Sequence, residues 1–178
     1  MKTREIAFLN GNFIDWRITF ADTGEATNTG GRIKRIEKYI EEDLFFATYG
    51  DGVADVDLNA LLRHHQAKKK IATLTALHPR SRFGILDIDS RNVVTYFKEK
   101  PIMKDWVSGG FFVFNKEFFD YLDDNCILER APMEKLVEEQ QLTLFHHSGF
   151  WGSMDTYKDV EFLRDLWEKE QKWKIWQD

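Results

Sequence analysis

The chain has 178 residues, which suits one globular domain with a hydrophobic core and leaves little room for a second. Its 25 Lys and Arg are outweighed by 30 Asp and Glu, and the net charge of -5 gives no electrostatic reason to expect nucleic-acid binding. A single cysteine excludes an internal disulfide and favours the reducing cytoplasm. No apolar run reaches the about 18 residues of a transmembrane helix, so we expect no membrane partner.

The amino-terminal part predicts a strand, a loop and a helix. Apolar and polar residues alternate over residues 16–20, as in a strand, and residues 22–31 form a polar, turn-rich loop. A helix is expected to start at Arg32, and the exposed N–H groups before it suit an anion. Residues 44–49 are a short apolar run, which predicts a strand buried on both faces of a parallel sheet. Asp51 then lies just beyond the carboxyl end of that strand.

The middle and end of the chain predict a mixed sheet with helices. Asp57 is expected to cap a helix, and a strand at residues 71–77 completes a βαβ unit with residues 44–49. Strands at residues 84–89 and 93–99 are expected to form a hairpin. The remaining predicted elements are a strand at residues 110–114, a helix at 116–123, a helix at 133–140 preceded by Pro132, a strand at 142–146, and a final helix whose inner stripe is Tyr157, Val160, Leu163 and Trp167.

Two aspartates stand where predicted strands end. Asp51 is either a metal ligand beside phosphate-accommodating glycines or a turn residue between them. Asp155 is either a ligand at a strand-to-helix corner or an ordinary helix N-cap. Carboxylates from separate strand ends can converge on one Mg²⁺, which keeps part of its shell for phosphates. The pair therefore predicts a phosphate-handling enzyme, or the remainder of one.

Other candidate groups follow the predicted strands. Glu99 could bind sugar hydroxyls and Lys100 a phosphate, but taken alone the two residues favour an exposed charge pair at a sheet edge. Gly109 and Gly110 either let a ligand lie against bare backbone or form a tight loop. The adjacent histidine pairs lack the spacing of metal sites, so we interpret them as structural.

Several motifs occur in a characteristic order between about residues 16 and 176. They are Asp22-Thr23-Gly24, Thr29-Gly30-Gly31-Arg32-Ile33-Lys34-Arg35, Thr48-Tyr49-Gly50-Asp51-Gly52-Val53-Ala54-Asp55, Arg82-Phe83-Gly84, Glu99-Lys100-Pro101, Gly109-Gly110-Phe111-Phe112-Val113, Gly149-Phe150-Trp151 and Met154-Asp155-Thr156. In this order they resemble the sugar-nucleotide nucleotidyltransferases, and most closely the glucose-1-phosphate cytidylyltransferases.

The resemblance implies a Rossmann-like α/β fold, with a mixed sheet flanked by helices, in one nucleotidyltransferase domain over residues 1–178. It implies transfer from CTP, or another nucleoside triphosphate, to glucose 1-phosphate, giving CDP-glucose and pyrophosphate with Mg²⁺ as cofactor. Asp51 and Asp155 would hold the metal and, with Lys100, form the catalytic set. The substrate-binding residues that it implies are Gly30, Gly31, Gly84, Glu99, Lys100, Gly109 and Gly110.

The chain also departs from the family pattern. The family's first strand, its Arg-bearing glycine-rich loop and the following Lys-Pro segment, which cradle the triphosphate, have no counterpart here. We therefore expect an amino-terminally truncated fold with an uncovered sheet edge or apolar face, and impaired turnover. The alternatives are a catalytically silent module that binds sugar phosphate or sugar nucleotide, and one half of a split enzyme. We expect either a homo-oligomer or a complementing chain.

Overall fold

The computed structural model describes residues 17–176, in which short helices flank a central mixed sheet. The strands are β1 (Leu44–Thr48), β2 (Gly52–Ala54), β3 (Ala72–Leu77), β4 (Ile85–Ile88), β5 (Val94–Lys98), β6 (Val107–Asn115), β7 (Leu142–His146) and β8 (Trp151–Ser153). The α-helices are α1 (Thr29–Ile36), α2 (Leu58–Lys68), α3 (Ala131–Glu138) and α4 (Tyr157–Lys169), and 3₁₀ helices span Glu37–Tyr39 and Lys116–Tyr121.

The central sheet has the strand order β1-β6-β3-β7. β6 runs antiparallel to both neighbours, whereas β3 and β7 are parallel. The mixed α/β sheet predicted from the sequence is therefore confirmed. β1 and β3 run in the same direction, as a βαβ unit requires. They are not neighbours, however, because the long antiparallel strand β6 lies between them.

The expectation that β1 is buried on both faces of a parallel sheet is wrong. Within residues 17–176, β1 pairs with β6 alone, so it lies at the edge of the sheet. Phe46, which points away from the core on this strand, is 44% exposed. A continuous apolar run is typical of a strand covered on both sides, and here the described residues supply only part of that cover.

The core forms on both faces of the sheet because side chains alternate along β6. Phe112 and Phe114 point to one face, where they pack with Phe118 of the second 3₁₀ helix. Val113 points to the other face and packs against Leu61 of α2. Helix α2 begins where predicted, since the Asp57 side chain accepts a hydrogen bond of 2.8 Å from the Ala60 N–H.

Several predicted boundaries shift. Helix α1 starts at Thr29 rather than Arg32, so its two glycines lie inside the first helical turn. Residues 17–20 form no strand, and Trp16 lies outside the described residues. Tyr157 is 73% exposed and does not belong to the inner stripe of α4, whereas Leu163 is buried as expected. None of the helices between residues 17 and 176 has the length and apolar character to cross a bilayer.

Candidate functional site

Two short strands bring the predicted aspartates together. β2 and β8 form an antiparallel ribbon in which Gly52 lies opposite Ser153, and the Met154 N–H donates a hydrogen bond of 2.8 Å to the Asp51 carbonyl. Asp51 and Asp155 therefore flank the same end of this ribbon, although 103 residues (155 − 51 − 1) separate them in the sequence.

Both aspartates line one cavity of about 300 Å³, which we call the aspartate cavity. It opens at the junction of the ribbon with β1 and β6. Its lining residues are Thr48, Tyr49, Asp51, Gly52, Ser108, Gly109, Gly110, Trp151, Ser153 and Asp155. Of the predicted site residues, the structure thus brings together Asp51, Asp155, Gly109 and Gly110.

The two carboxylates differ in their surroundings. Asp155 lies 2.6 Å from a guanidinium nitrogen of Arg82 and accepts a hydrogen bond of 2.8 Å from the Ser153 hydroxyl. Within residues 17–176, no group hydrogen-bonds the Asp51 carboxylate. The site therefore holds one paired and one open carboxylate, a donor set that could accept a cation through Asp51 first.

Asp155 is not the cap of the helix that follows. Thr156 is the N-cap of α4, where its hydroxyl accepts from the Asp159 N–H and Asp159 bonds back to the Thr156 N–H at 2.9 Å. This capping box satisfies the first turn without Asp155. The N-cap interpretation of Asp155 is therefore wrong, and its carboxylate remains directed to Arg82 and the cavity.

The flanking glycines of Asp51 are not required by packing. A side chain added at Gly50 or Gly52 would meet nothing within 4 Å, so both sites border open space. Gly110 is different, since its φ of +74° is a conformation that L side chains rarely adopt, and an added Cβ would lie 2.4 Å from the Tyr49 ring. Gly110 is therefore needed by the fold, whereas Gly52 leaves room for a ligand beside Asp51.

Aromatic groups form two walls of the cavity. The Trp151 indole N–H donates a hydrogen bond of 2.8 Å to the Gly109 carbonyl, which ties the ribbon to β6. The Tyr49 ring covers Gly110, and its hydroxyl donates to Glu129. Burial, followed by that hydrogen bond to Glu129, raises the pKa of Tyr49 above the ordinary tyrosine range. Tyr49 thus stays neutral and keeps a fixed orientation.

Gly30 and Gly31 lie away from the aspartate cavity, against the loop that precedes α3. The Gly31 N–H donates to the Cys126 carbonyl at 3.1 Å. An added Cβ at Gly30 would lie 2.5 Å from the Cys126 sulfur, and one at Gly31 would lie 2.5 Å from the Asp124 carbonyl oxygen. Both glycines therefore permit a close approach of α1 to this loop, and their contact with a nucleotide stays a prediction.

The remaining predicted residues lie at the end of the β4–β5 hairpin. Lys100 has a φ of +46°, unusual for a residue other than glycine, and its carbonyl accepts a hydrogen bond of 3.1 Å from the Arg80 side chain. Glu99 approaches Gly84, where its Oε2 would lie 3.0 Å from an added Cβ. None of these predicted residues lines the aspartate cavity.

A short loop nevertheless connects this group to the aspartates. Arg80 holds the Lys100 backbone, and Arg82, two residues later, pairs with Asp155. Arg82 belongs to the Arg82-Phe83-Gly84 motif, and the resemblance implies no role for it. The sequence also predicted none of the contacts made in the site by Ser153, Trp151 and Glu129. Of these three residues, only Trp151 lies in one of the family motifs.

The donor set fits Mg²⁺ only in part. No cluster of three or more His, Cys, Asp or Glu side chains that could hold a metal is found between residues 17 and 176. Mg²⁺ in phosphate-handling sites takes one or two carboxylates and completes its shell with water and phosphate oxygens. Asp51 and Asp155 meet that smaller requirement.

Two comparisons of the sequence with known proteins agree with each other. A family model described as nucleotidyl transferase matches residues 4–174. The chain is 44% identical over 166 residues to a glucose-1-phosphate cytidylyltransferase of Salmonella typhi, covering 91% of this chain and 64% of that protein. It is 39% identical over 164 residues to a Bacillus subtilis protein named "probable glucose-1-phosphate cytidylyltransferase", covering 90% and 64% respectively.

Solved structures show the same fold. A crystal structure of HddC from Yersinia pseudotuberculosis matches with a TM-score of 0.59 and 21% identity, covering 80% of this chain and 64% of that one. The chain therefore spans somewhat less than two thirds of the length of the relatives that it matches.

Proposed function

We propose that this chain, which belongs to the nucleotidyl transferase family, supplies the metal and sugar-phosphate part of an enzyme that transfers a cytidylyl group from CTP to glucose 1-phosphate. The observation that carries the proposal is the convergence of Asp51 and Asp155 on one cavity, which Gly109 and Gly110 also line. The names and identities of the two cytidylyltransferase relatives support the choice of substrates.

The proposed reaction is an in-line displacement at phosphorus. A phosphate oxygen of glucose 1-phosphate attacks the α-phosphorus of CTP, the bond from that phosphorus to the bridging oxygen breaks, and pyrophosphate leaves with the bond's electrons. Such transfers depend on alignment and charge neutralisation more than on covalent chemistry by the protein. Mg²⁺, when bound, would neutralise charge on the phosphate oxygens.

We assign the chain's own residues to binding and alignment. Asp51 and Asp155 would hold the cation, and Lys100 would contact the sugar phosphate. Glu99 would accept hydrogen bonds from sugar hydroxyls, and Gly84 would border the same hydroxyls. Gly109 and Gly110, which line the aspartate cavity, would border the sugar. Gly30 and Gly31 would lie on the nucleotide side of the site, next to the loop that they pack against.

The hairpin residues must approach the aspartates for this proposal to hold. Glu99 and Lys100 lie outside the aspartate cavity, and the Arg80–Arg82 loop links them to it. A ligand that spans both groups needs an anionic part for Lys100 and the cation, and a hydroxylated part for Glu99 and for the cavity wall at Gly109 and Gly110. A sugar phosphate, with an anionic end and a neutral hydroxylated end, has this character.

A second candidate function is that of one half of a split enzyme. The edge of β1 borders an apolar groove of about 440 Å³ between that strand and α1, whose wall includes Ile33, Phe45 and Phe46. Unpaired strand edges and apolar grooves favour further pairing. The groove is therefore suited to a complementing polypeptide section that the longer relatives carry in one chain, or to another copy of this chain.

A third candidate is a silent binding module. In this function the chain would bind sugar phosphate or sugar nucleotide without transfer. The single cysteine, which favours a reducing environment, supports a cytoplasmic site of action for all three candidates.

A pyrophosphate-release assay with CTP, Mg²⁺ and glucose 1-phosphate separates these functions. We expect little turnover by the chain alone, because each lost phosphate-stabilising donor costs about 3 kcal/mol or more of transition-state stabilisation. Turnover that is lost in Asp51→Ala would show a self-sufficient enzyme. Restoration by the amino-terminal section of a relative would show the split enzyme, and saturable glucose 1-phosphate binding without turnover would show the module. Absence of any binding or turnover would contradict the proposed function.

A further inference from the structure

A buried histidine lies next to the β2–β8 ribbon and outside the aspartate cavity. His147 is only 9% exposed, and its backbone N–H donates to the Ala76 carbonyl at 2.9 Å. Its Nε2 lies 3.0 Å from the Phe150 carbonyl and 3.1 Å from Asp55 Oδ1. Because carbonyl and carboxylate oxygens only accept hydrogen bonds, the arrangement requires that Nε2 carry a hydrogen.

Asp55 depends on this histidine. Its side chain is 30% exposed, but its Oδ1 is buried, accepts no hydrogen bond among the described residues, and lies 3.1 Å from the His147 Nε2. A buried carboxylate oxygen without compensation is costly. Asp55 and His147 therefore act as one unit.

This pair closes the end of the ribbon opposite the aspartates. The Asp55 N–H donates to the Phe150 carbonyl at 3.2 Å, one step beyond the pairing of Ala54 with Trp151. At the other end, the Met154 N–H bonds the Asp51 carbonyl. The ribbon is thus bounded by the Asp55–His147 pair at one end and by the two candidate metal ligands at the other.

Gly149 makes the pair sterically possible. A Cβ at this position would lie 2.2 Å from Asp55 Oδ1 and 2.8 Å from His147 Cε1. No side chain fits between the carboxylate and the ring. The close approach of the loop before β8 is therefore built around the Asp55–His147 pair.

The ribbon needs such support because it is very short. Each strand has three residues, and a two-stranded sheet of any length is marginal in water. The indole hydrogen bond of Trp151 holds its middle to β6. The Asp55–His147 pair lies at the other support, the end where β2 finishes and β8 begins.

We propose that Asp55 and His147 are positioning residues that hold the register of the β2–β8 ribbon and thereby fix the relative placement of Asp51 and Asp155. Neither residue lines the aspartate cavity. The consequence for ligand binding rests on the function proposed above, whereas the consequence for the ribbon itself does not.

Amide hydrogen exchange of the chain, followed by NMR, tests the positioning role. The Met154 N–H lies at the far end of the ribbon, so it reports register rather than contact with the substituted residue. In His147→Ala we expect its exchange to accelerate about tenfold or more while the core amide of Phe114 keeps its rate. His147→Gln, which keeps an N–H donor, should restore much of the protection.

His65→Gln is the matched control. His65 is also buried, at 2% exposure, and bonds Thr73 and Asn115 on the sheet. It should lower protection in the core without a selective effect at Met154. If His147→Ala fails to fold, Asp55→Asn decides, because it keeps the side-chain shape and removes the charge that faces the imidazole. Met154 exchange at the wild-type rate in a folded variant would overturn the proposal.

Mn²⁺ titration with glucose 1-phosphate present separates this inference from the proposed function. We expect His147→Ala to weaken Mn²⁺ binding about tenfold, the scale on which outer partners of a metal site act. If the wild type binds no Mn²⁺ but His147→Ala still accelerates Met154 exchange, the positioning role is supported and the proposed function is contradicted. Normal Met154 exchange with normal Mn²⁺ binding would leave the proposed function intact and overturn the positioning role.

Discussion

The guanidinium of Arg82 lies 2.6 Å from the carboxylate of Asp155, so one of the two proposed cation ligands is already paired with a cationic side chain. Both side chains are about half exposed, and an ion pair of this kind contributes about 0.2–1 kcal/mol. A metal that binds Asp155 must compete with it. We therefore expect Arg82→Met to tighten Mn²⁺ binding about two- to fivefold in calorimetric titration.

The control for this prediction is Arg91→Met. Arg91 pairs with Asp89 at 3.0 Å in the turn of the β4–β5 hairpin and should leave Mn²⁺ affinity unchanged. Weaker Mn²⁺ binding in Arg82→Met would mean that Arg82 organises Asp155 for the metal rather than competing with it.

Two glycines near the aspartate cavity should differ in how much their replacement by alanine lowers the free energy of unfolding. Gly110→Ala forces a left-handed conformation and a contact with the Tyr49 ring, so we expect a loss of about 2 kcal/mol in the free energy of unfolding. Gly50→Ala, which meets nothing within 4 Å, should change stability by less than about 0.5 kcal/mol. Urea unfolding measures both, and equal losses would show that the Gly110 conformation is not held as described.

The hydroxyl of Tyr49 should contribute to stability through Glu129. Tyr49→Phe removes a hydrogen bond to a carboxylate, and we expect the free energy of unfolding to fall by about 1–2 kcal/mol. Tyr96→Phe, on exposed β5, is the matched control and should have little effect. Equal stability of Tyr49→Phe and the wild type would contradict the anchoring role of Glu129.

Acid should weaken the start of α4. Hydrogen bonds to Asp159, first from the Thr156 side chain and then from its backbone N–H, lower the pKa of this carboxyl below its usual value, and Arg82 adds to the effect. A carboxyl with a lowered pKa in the folded state stabilises that state above its unfolded pKa, and the contribution disappears as pH falls through the folded pKa.

We therefore expect wild-type stability to fall more steeply than that of Asp159→Asn as the pH drops below about 4. Thr156→Ala, which removes the largest cause of the shift, should give an intermediate slope. Urea unfolding across this pH range measures the three slopes, and parallel curves for all three proteins would contradict the assignment.

Local patterns in the sequence were sufficient for the longer elements. β7 begins and ends at the predicted residues, Leu142 and His146, because its side chains alternate and turn residues flank it. Asp57 was identified as a helix cap by its residue type and position. β2 and β8 could not be predicted in this way, since three residues carry no measurable periodicity and their pairing joins distant parts of the chain.

The candidate site was predictable as a set of residues but not as an arrangement. The resemblance named Asp51, Asp155 and the glycine pair, and the structure places them on one cavity. The partners of these groups are long-range contacts: Arg82 is 73 residues from Asp155, and Tyr49 is 80 residues from Glu129. Such pairs depend on the tertiary fold, which residue type and spacing do not specify.

The central claim is that Asp51 and Asp155 act together on one cation, and a double-mutant cycle of Mn²⁺ affinity tests it most directly. Calorimetry with glucose 1-phosphate present would compare the wild type, Asp51→Asn, Asp155→Asn and the double variant, with Asp165→Asn on the outer part of α4 as a control. We predict that each single substitution at the site weakens Mn²⁺ binding about tenfold or more and that the double variant is little worse than the singles. Independent, additive losses, or Mn²⁺ binding that survives both substitutions, would contradict the claim.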